Sequence, residues 1–460
     1  MAVRGIISAG GYVPYRRLQR AEIAKTFAAG GAKGTRSVAS YDEDTTTMGV
    51  AAARNARRAA PDVEIGSLFF STTEPAYVDK TNATAIHAAL RLDSGTPAYD
   101  FGGAARSGVG ALLVALAASD AALVVTADLR TGLPTGPDEA AGGDGAAALL
   151  VGHDSHGPVI AELLGTGSAT AEFVDRWRTP GDRRSKVWEE RFGETQYVPL
   201  VEQAWNSALK AAALTPDSVD RLVVTGLHAR AVRASLRRLG VDPSRVVDDL
   251  GATVGNTGSA HPGLLLASAL DQAAPGEVIA LVVLADGADV LLFRTTDALA
   301  GRDQGSSIAG QVEASADVPY GKFLSWRGMV TVEPPRRPEP ARVSSSAASR
   351  SEEWKFGFVG SRDPDDGTLH LPPAPGEPPA PMAEAFGTIA TFTIDRLAYS
   401  PSPPVVFAVV DFDDGGRFPL ELTDVDPDDV QIGARVEMTF RRLFTADGIH
   451  DYFWKARPVR

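Results

Sequence analysis

Asp100-Phe-Gly-Gly-Ala-Ala-Arg-Ser-Gly-Val-Gly-Ala-Leu-Leu-Val-Ala-Leu-Ala-Ala118 decides how the rest of the chain is read. Gly102 and Gly103 permit a sharp turn, and the residues after them run small and apolar for three helical turns. A helix without a polar face belongs in a protein interior. A turn that feeds such a helix gathers free backbone N–H groups and positive dipole at one point. Enzymes use that point to lower a thiol pKa and to stabilise an oxyanion. Here the elbow position is Ala105, flanked by Arg106 and Ser107. The cradle for a nucleophile is present and the nucleophile is not. Ser107 does not replace it, because two residues further along a helix its hydroxyl points elsewhere.

Outward from the elbow, apolar runs at 3–9, 67–71, 97–100, 121–127 and 144–152 read as strands. Alanine-rich helices are expected over 21–29, up to about 60 after Tyr41-Asp-Glu-Asp-Thr-Thr-Thr-Met48, and over 82–90. A second cycle follows, with strands at 159–164, 221–225, 278–285 and 288–295. Its helices are expected over 198–213, from His228 to 239, and over 264–273. Between them, 172–195 is polar and aromatic, rich in Trp and Arg. Two successive strand–helix cycles predict a duplicated, layered α/β fold. Residues 300–318 read as a Gly/Ser/Asp-rich linker, 320–328 as one short helix, and 333–351 as an extended arm. Residues 363–381 hold too many prolines for regular structure. From Phe386 the pattern is all-β, with strands at 388–394, 405–411, 418–423, 435–443 and 449–456, which fits a small barrel.

Composition narrows the chemistry. With 460 residues, 44% hydrophobic and 22% charged, the chain is long enough for two or three domains. A net charge of −13 without any basic block makes nucleic acid and anionic membrane poor partners. There is no signal-like leader and no apolar run long enough to span a bilayer, so a soluble cytoplasmic protein is expected. Seven histidines stand without zinc-ligand spacing, and cysteine is absent. That removes disulfides, thiolate metal sites and any cysteine nucleophile.

Four stretches of residues 1–300 resemble the thiolase superfamily, in its ketoacyl synthase III and hydroxymethylglutaryl-CoA synthase branch. Asp100–Gly108 is similar to the nucleophile elbow, with Ala105 in the cysteine position. Gly143-Asp-Gly-Ala-Ala-Ala148 resembles the family's Gly-Asp-Gly-Ala strand start. His228-Ala-Arg-Ala231 falls where the catalytic histidine stands, and Gly255-Asn-Thr-Gly-Ser259 where the catalytic asparagine does. The same resemblance places Glu74 at the acid/base glutamate and Arg36 near the CoA adenine and phosphates. It puts Arg176, Trp177, Arg178 and Trp188 in the insertion that covers the pocket. Residues 320–460 resemble the OB-fold family that accompanies thiolase-like enzymes acting on acyl-CoA. Its zinc-ribbon cysteines are replaced here by Asp363, Asp366 and the stretch near Glu377, so no zinc is expected.

The fold implied is a duplicated thiolase-like α-β-α-β-α unit followed by an OB-fold barrel. Its segments are 1–157 and 158–299 (the two halves), 300–352 (linker and arm), 353–385 (degenerate ribbon) and 386–460 (barrel). A homodimer is implied, with the strand at 121–127 beside its mate, and a partner enzyme could dock at the barrel. Catalysis falls to Glu74, His228 and Asn256, with Ala105 marking the lost nucleophile and Arg36 binding the cofactor end of the substrate. Each has a plainer reading. Glu74 reads equally as a loop carboxylate, His228 as a packed histidine, Asn256 as a turn former and Arg36 as a surface arginine. His261 reads as a packing residue. Without a thiol no acyl-enzyme forms. The function expected is aldol or retro-aldol chemistry on a CoA- or carrier-bound thioester. The alternatives are a non-catalytic acyl-CoA-binding or scaffold subunit, and a divergent hydroxymethylglutaryl-CoA synthase or ketoacyl synthase-type acyltransferase.

Overall fold

The structure, a computed structural model, describes residues 3–301 and 306–460. Nine strands form one sheet. They are β1 (Arg4–Tyr12), β2 (Ser67–Thr72), β3 (Ala98–Gly102), β4 (Ala122–Asp128), β5 (Gly145–His153), β6 (Ala161–Thr170), β7 (Arg221–Gly226), β8 (Val278–Leu284) and β9 (Gly287–Thr295). Their order is β7-β8-β9-β6-β1-β5-β4-β2-β3. The duplication is visible in the pairing. In the first half β2 runs parallel to β4, and β4, β5 and β1 then alternate in direction. In the second half β7 runs parallel to β8, and β8, β9 and β6 alternate in the same way. Antiparallel pairing of β1 with β6 joins the halves. Strands buried on both faces read as continuous apolar runs, which is why they were legible.

Helices cover both faces. The principal ones are α1 (Thr45–Arg58), α2 (Arg106–Ala117), α3 (Glu190–Ala212), α4 (Ala229–Leu236) and α5 (His261–Gln272). Helix α1 begins in a capping box, in which Asp44 accepts from the Thr47 amide while the Thr47 hydroxyl side chain accepts from the Asp44 amide. Helix α2 is amphipathic in its packing: Val109, Leu112 and Leu116 are buried, whereas Val114 is 49% exposed. All-round burial is therefore corrected to burial of one face. Helix α3 starts eight residues before the expected position and carries Pro199 within it. Helix α4 stops at Leu236 rather than running to 239.

Strand β4 lies between β2 and β5, so neither of its edges can meet a symmetry mate. The expectation that this strand forms a dimer seam is corrected accordingly: the free edge on that side is β3.

After the sheet, a helix spans Ile308–Glu313 inside the expected linker, of which residues 302–305 lie outside the described residues. The expected helix forms over Tyr320–Trp326, and Ser345–Arg350 adds a short one within the arm. The proline-rich stretch does contain strand. Leu369–His370 and Pro379–Pro381 pair on either side of Val359–Arg362. The prolines are tolerated because the bonds pass through their neighbours, with Met382 donating to Phe358 and Arg362 to the Pro378 carbonyl. Five strands then close a barrel: β10 (Phe386–Asp395), β11 (Val405–Phe412), β12 (Arg417–Leu422), β13 (Arg435–Ala446) and β14 (Ile449–Pro458). The barrel interior and the first-half core form one apolar cluster, with Met48 and Ala53 in the same body as Phe440 and Trp454.

Candidate functional site

The elbow is where the sequence places it. Strand β3 ends at Gly102, Gly103 takes φ +95°, and α2 begins at Arg106. A Cβ built at Gly102 or Gly103 would meet nothing within 4 Å, so the apex is open on that side. Ala105 faces inward onto a cavity of about 10 Å³, whose lining includes Asn256, Gly226, Pro262 and Ala285. That space holds about one water. Arg106 is committed to structure, pairing with Asp289 (2.7 Å) and donating to the carbonyls of Asp286 and Ala169.

Asn256 reaches the cavity but its side chain is engaged. Its Nδ2 donates to the Gly226 carbonyl at 3.2 Å, and its Oδ1 accepts from the Gly258 amide at 2.9 Å. His228 does not line the cavity. It is the N-cap of α4, with Nδ1 accepting from the Ala231 amide (3.0 Å), so the ring proton sits on Nε2. That Nε2–H donates to the Glu190 carbonyl at 2.9 Å. His228 is thus held as a neutral donor rather than a base, and the first turn of α3 covers it. Gly193 is required there, since a Cβ would come within 2.6 Å of Nε2.

Glu74 lies in the loop after β2, and its side chain is 42% exposed and paired with Arg178 at 2.5 Å. It does not line the cavity, and its exposure fits the loop-carboxylate reading. Arg36 is corrected more sharply. Its side chain is fully buried, donating to the Glu139 and Arg130 carbonyls and pairing with Asp144 at 3.3 Å. Burial lowers its pKa to about 10. A residue sealed in this way offers nothing to a CoA phosphate. Asp144, of the Gly-Asp-Gly-Ala stretch, is the hub of that cluster and also binds Arg327 and the Ala39 amide. His261 is buried, and burial pushes its pKa down to about 4, in keeping with a packing role.

Two residues went unseen in the sequence. Asp175 is buried beside His228, its Oδ1 3.9 Å from Nε2 and without a hydrogen-bond partner. Burial raises its pKa. Asp128, at the end of β4, accepts from the Thr73 and Ser259 amides and so ties the Glu74 loop to the Asn256 loop. Both are ordinary acids in sequence, and only the fold shows what they face.

A duplicated nine-stranded sheet and a closed five-stranded barrel define the fold, and the comparisons agree with it. Residues 209–290 match the family of 3-oxoacyl-[acyl-carrier-protein] synthase III C-terminal domains, and residues 381–441 match the ChsH2 C-terminal OB-fold domain. The chain is a thiolase-like unit fused to an OB-fold barrel. The thiolase-like unit is similar to the hydroxymethylglutaryl-CoA synthase of Methanopyrus kandleri, 29% identical over 341 residues, covering 70% of this chain and 97% of that one. The Pyrococcus horikoshii enzyme of the same name is 29% identical over 293 residues, covering 62% and 83%. Among solved structures, MvaS in complex with 3-hydroxy-3-methylglutaryl coenzyme A superposes with a TM-score of 0.61 at 21% identity, over 75% of this chain and 94% of that one. FabH from Pseudomonas aeruginosa PAO1 gives 0.56 at 21%, over 64% and 98%.

In the ribbon segment, Asp363 and Asp366 cap the turn between two strands by accepting from the Asp365 and Thr368 amides. Glu377 bridges Ser361 (2.7 Å) and His370 (2.8 Å). A hydrogen-bonded cluster therefore cross-links the loops. Among the described residues there is no group of three or more His, Asp or Glu side chains able to hold a metal, and no helix is long and apolar enough to cross a membrane.

Proposed function

We propose that the chain acts on a CoA- or carrier-bound thioester, making or breaking a C–C bond by aldol-type chemistry without an acyl-enzyme. The observation that carries this is Ala105 at the elbow cavity beside Asn256, with His228 kept as a fixed Nε2–H donor. Similarity to hydroxymethylglutaryl-CoA synthases supports the substrate class. In the cleavage direction a base takes the β-hydroxyl proton and the Cα–Cβ bond breaks. Its electron pair moves onto the thioester carbonyl oxygen, and the enolate then takes a proton at Cα. Two donors at that oxygen lower the barrier, and Glu74 is the carboxylate assigned to the proton. Entry of an acyl group requires the Glu190–Gly193 turn to withdraw, releasing the His228 donor. A second reading, a non-catalytic subunit, is favoured by the elbow cavity of about 10 Å³, too small for an acyl group, and by the Asn256 amide being occupied.

The test is a panel of β-hydroxyacyl-CoA substrates with release of aldehyde or ketone followed directly. Turnover that persists without a protein-bound acyl group supports the aldol reading. Tight binding with no cleavage or condensation of any member establishes the subunit reading instead.

A further inference from the structure

The barrel's hairpin of β13 and β14 does not merely abut the thiolase-like unit; it grips a segment bonded to the Glu74 loop and the loop itself. The first is residues 41–46. The Arg442 amide donates to the Asp42 carbonyl (2.9 Å) and its guanidinium to the Tyr41 carbonyl (2.9 Å). Lys455 pairs with Asp42 at 3.1 Å, Arg441 with Glu43 at 3.2 Å, and the Tyr452 hydroxyl donates to Asp44 at 2.8 Å. Asp42, Arg441 and Lys455 have no exposed side-chain surface. The second segment is the loop itself. The His450 amide, in β14, donates to the Tyr77 hydroxyl at 2.8 Å, and the two rings pack 5.2 Å apart.

These two grips converge on Glu74. Thr45, the residue after the gripped Asp44, donates its hydroxyl to the Glu74 carbonyl at 2.9 Å. Tyr77 stands three residues further along the same loop. Further tethers come from the α/β unit, among them Asp128 on the Thr73 amide (2.7 Å), Arg178 on the Thr73 carbonyl and the Glu74 carboxylate (2.5 Å each) and Asn82 on the Tyr77 backbone. In the loop's second half the barrel adds its His450–Tyr77 contact to the two bonds that Asn82 makes with the Tyr77 backbone (3.0 and 2.9 Å).

We propose that the barrel is a positioning element for the Glu74 loop, acting through Thr45 and Tyr77. This rests on the reading of Glu74 as the proton-handling carboxylate, but its test does not. Hydrogen exchange is measured by mass spectrometry on the full chain for the parent, Thr45→Val, Thr45→Ser and Tyr77→Phe. Loss of one hydrogen bond should speed exchange across residues 72–78 roughly five-fold in Thr45→Val and Tyr77→Phe. Exchange within β13, and within β14 beyond His450, should stay at the parent rate; the His450 amide itself loses its acceptor in Tyr77→Phe and should speed there. Thr45→Ser keeps the hydroxyl and should keep the parent rate, whereas a role in packing alone would spare the isosteric valine and penalise serine. The proposal is overturned if Tyr77→Phe exchanges over 72–78 like the parent, since the Thr45 bond alone lies within the α/β unit, or if valine and serine at position 45 behave alike. Binding of 3-hydroxy-3-methylglutaryl-CoA, measured on the same variants, separates the two claims. Faster exchange with unchanged binding leaves the barrel as the loop's holder and counts only against Glu74 as a site residue.

Discussion

At the scale of single residues, the site is defined by what its side chains are already bonded to. His228 caps a helix with one ring nitrogen and offers a proton with the other. Such an arrangement fixes the tautomer without a carboxylate, and under the proposed function that proton is the one offered to an enolate oxygen. Removing one donor of this kind costs roughly 10²–10³ in turnover. His228→Ala and Asn256→Ala are each expected to lower C–C bond turnover by about that factor. His228→Ala should also cost about 1 kcal/mol of stability through the lost cap, which thermal melts will show. Ala105→Cys is expected to leave the aldol reaction no faster, and intact mass after incubation with acetyl-CoA would reveal any trapped acyl group. Parent-like turnover in both alanine variants would sink the assignment. The motif positions of Ala105, Asn256 and His228 were readable from neighbours in sequence. Arg36 was not, because its partners Asp144, Glu139 and Arg130 stand some hundred positions away. Asp175 was hidden for the same reason: burial beside His228 is a property of the folded chain.

Elements were legible in proportion to how regular their surroundings are. The doubly covered strands of the sheet carry their burial as unbroken apolar runs, and the barrel strands carry theirs as alternation between turns. The first two turns of α3 were missed because Glu190-Arg-Phe-Gly-Glu-Thr is polar and Pro199 follows close behind. The strand at Pro379–Pro381 was missed because proline removes donors, and only the pairing showed that neighbouring residues supply them. That small sheet is the element with the clearest pH signature. The hydrogen bond that His370 donates to Glu377 raises the His370 pKa, and those donated by Ser361 and His370 lower that of Glu377. A histidine raised on folding contributes stability that is present below its unfolded value, about 6.5, and is lost as pH climbs through the folded value. The ribbon should therefore loosen as pH rises from about 6 to 8. Faster exchange of residues 359–381 at the higher pH, corrected for intrinsic chemistry, is the expected result. His370→Gln should abolish the dependence. Elemental analysis is expected to find no stoichiometric zinc, because carboxylates on Asx turns replace the soft ligands.

Across the whole molecule, the barrel and the thiolase-like unit share one core and one buried ionic cluster, so they should unfold together. Burial raises the Asp42 pKa, yet Lys455 and Arg441 outweigh it and hold the carboxyl at about 2. Taking away one member of such a cluster strands the other, at about 3–5 kcal/mol. Lys455→Met should fall in that range, and combining it with Asp42→Asn should recover part of the loss. Additive losses in urea titrations would show that the pair is not coupled. Association beyond one chain is argued from the sheet's end. Strand β3 pairs with β2 on one side only, and its Tyr99 is 56% exposed; α2, which packs on β3, leaves Val114 49% exposed. An uncovered edge with an apolar face is a template for another strand, and a second copy related by a two-fold axis would supply an antiparallel one. Because β3 leads straight into the elbow, whose Gly102 and Gly103 face open space, the mate would also close the site's open side. The parent is therefore expected to sediment as a dimer at micromolar concentration. Tyr99→Lys, which places a charge on the edge, is expected to sediment as a monomer and to bind 3-hydroxy-3-methylglutaryl-CoA more weakly. A monomeric parent, or a Tyr99→Lys variant that dimerises like the parent, would remove β3 from consideration as the seam.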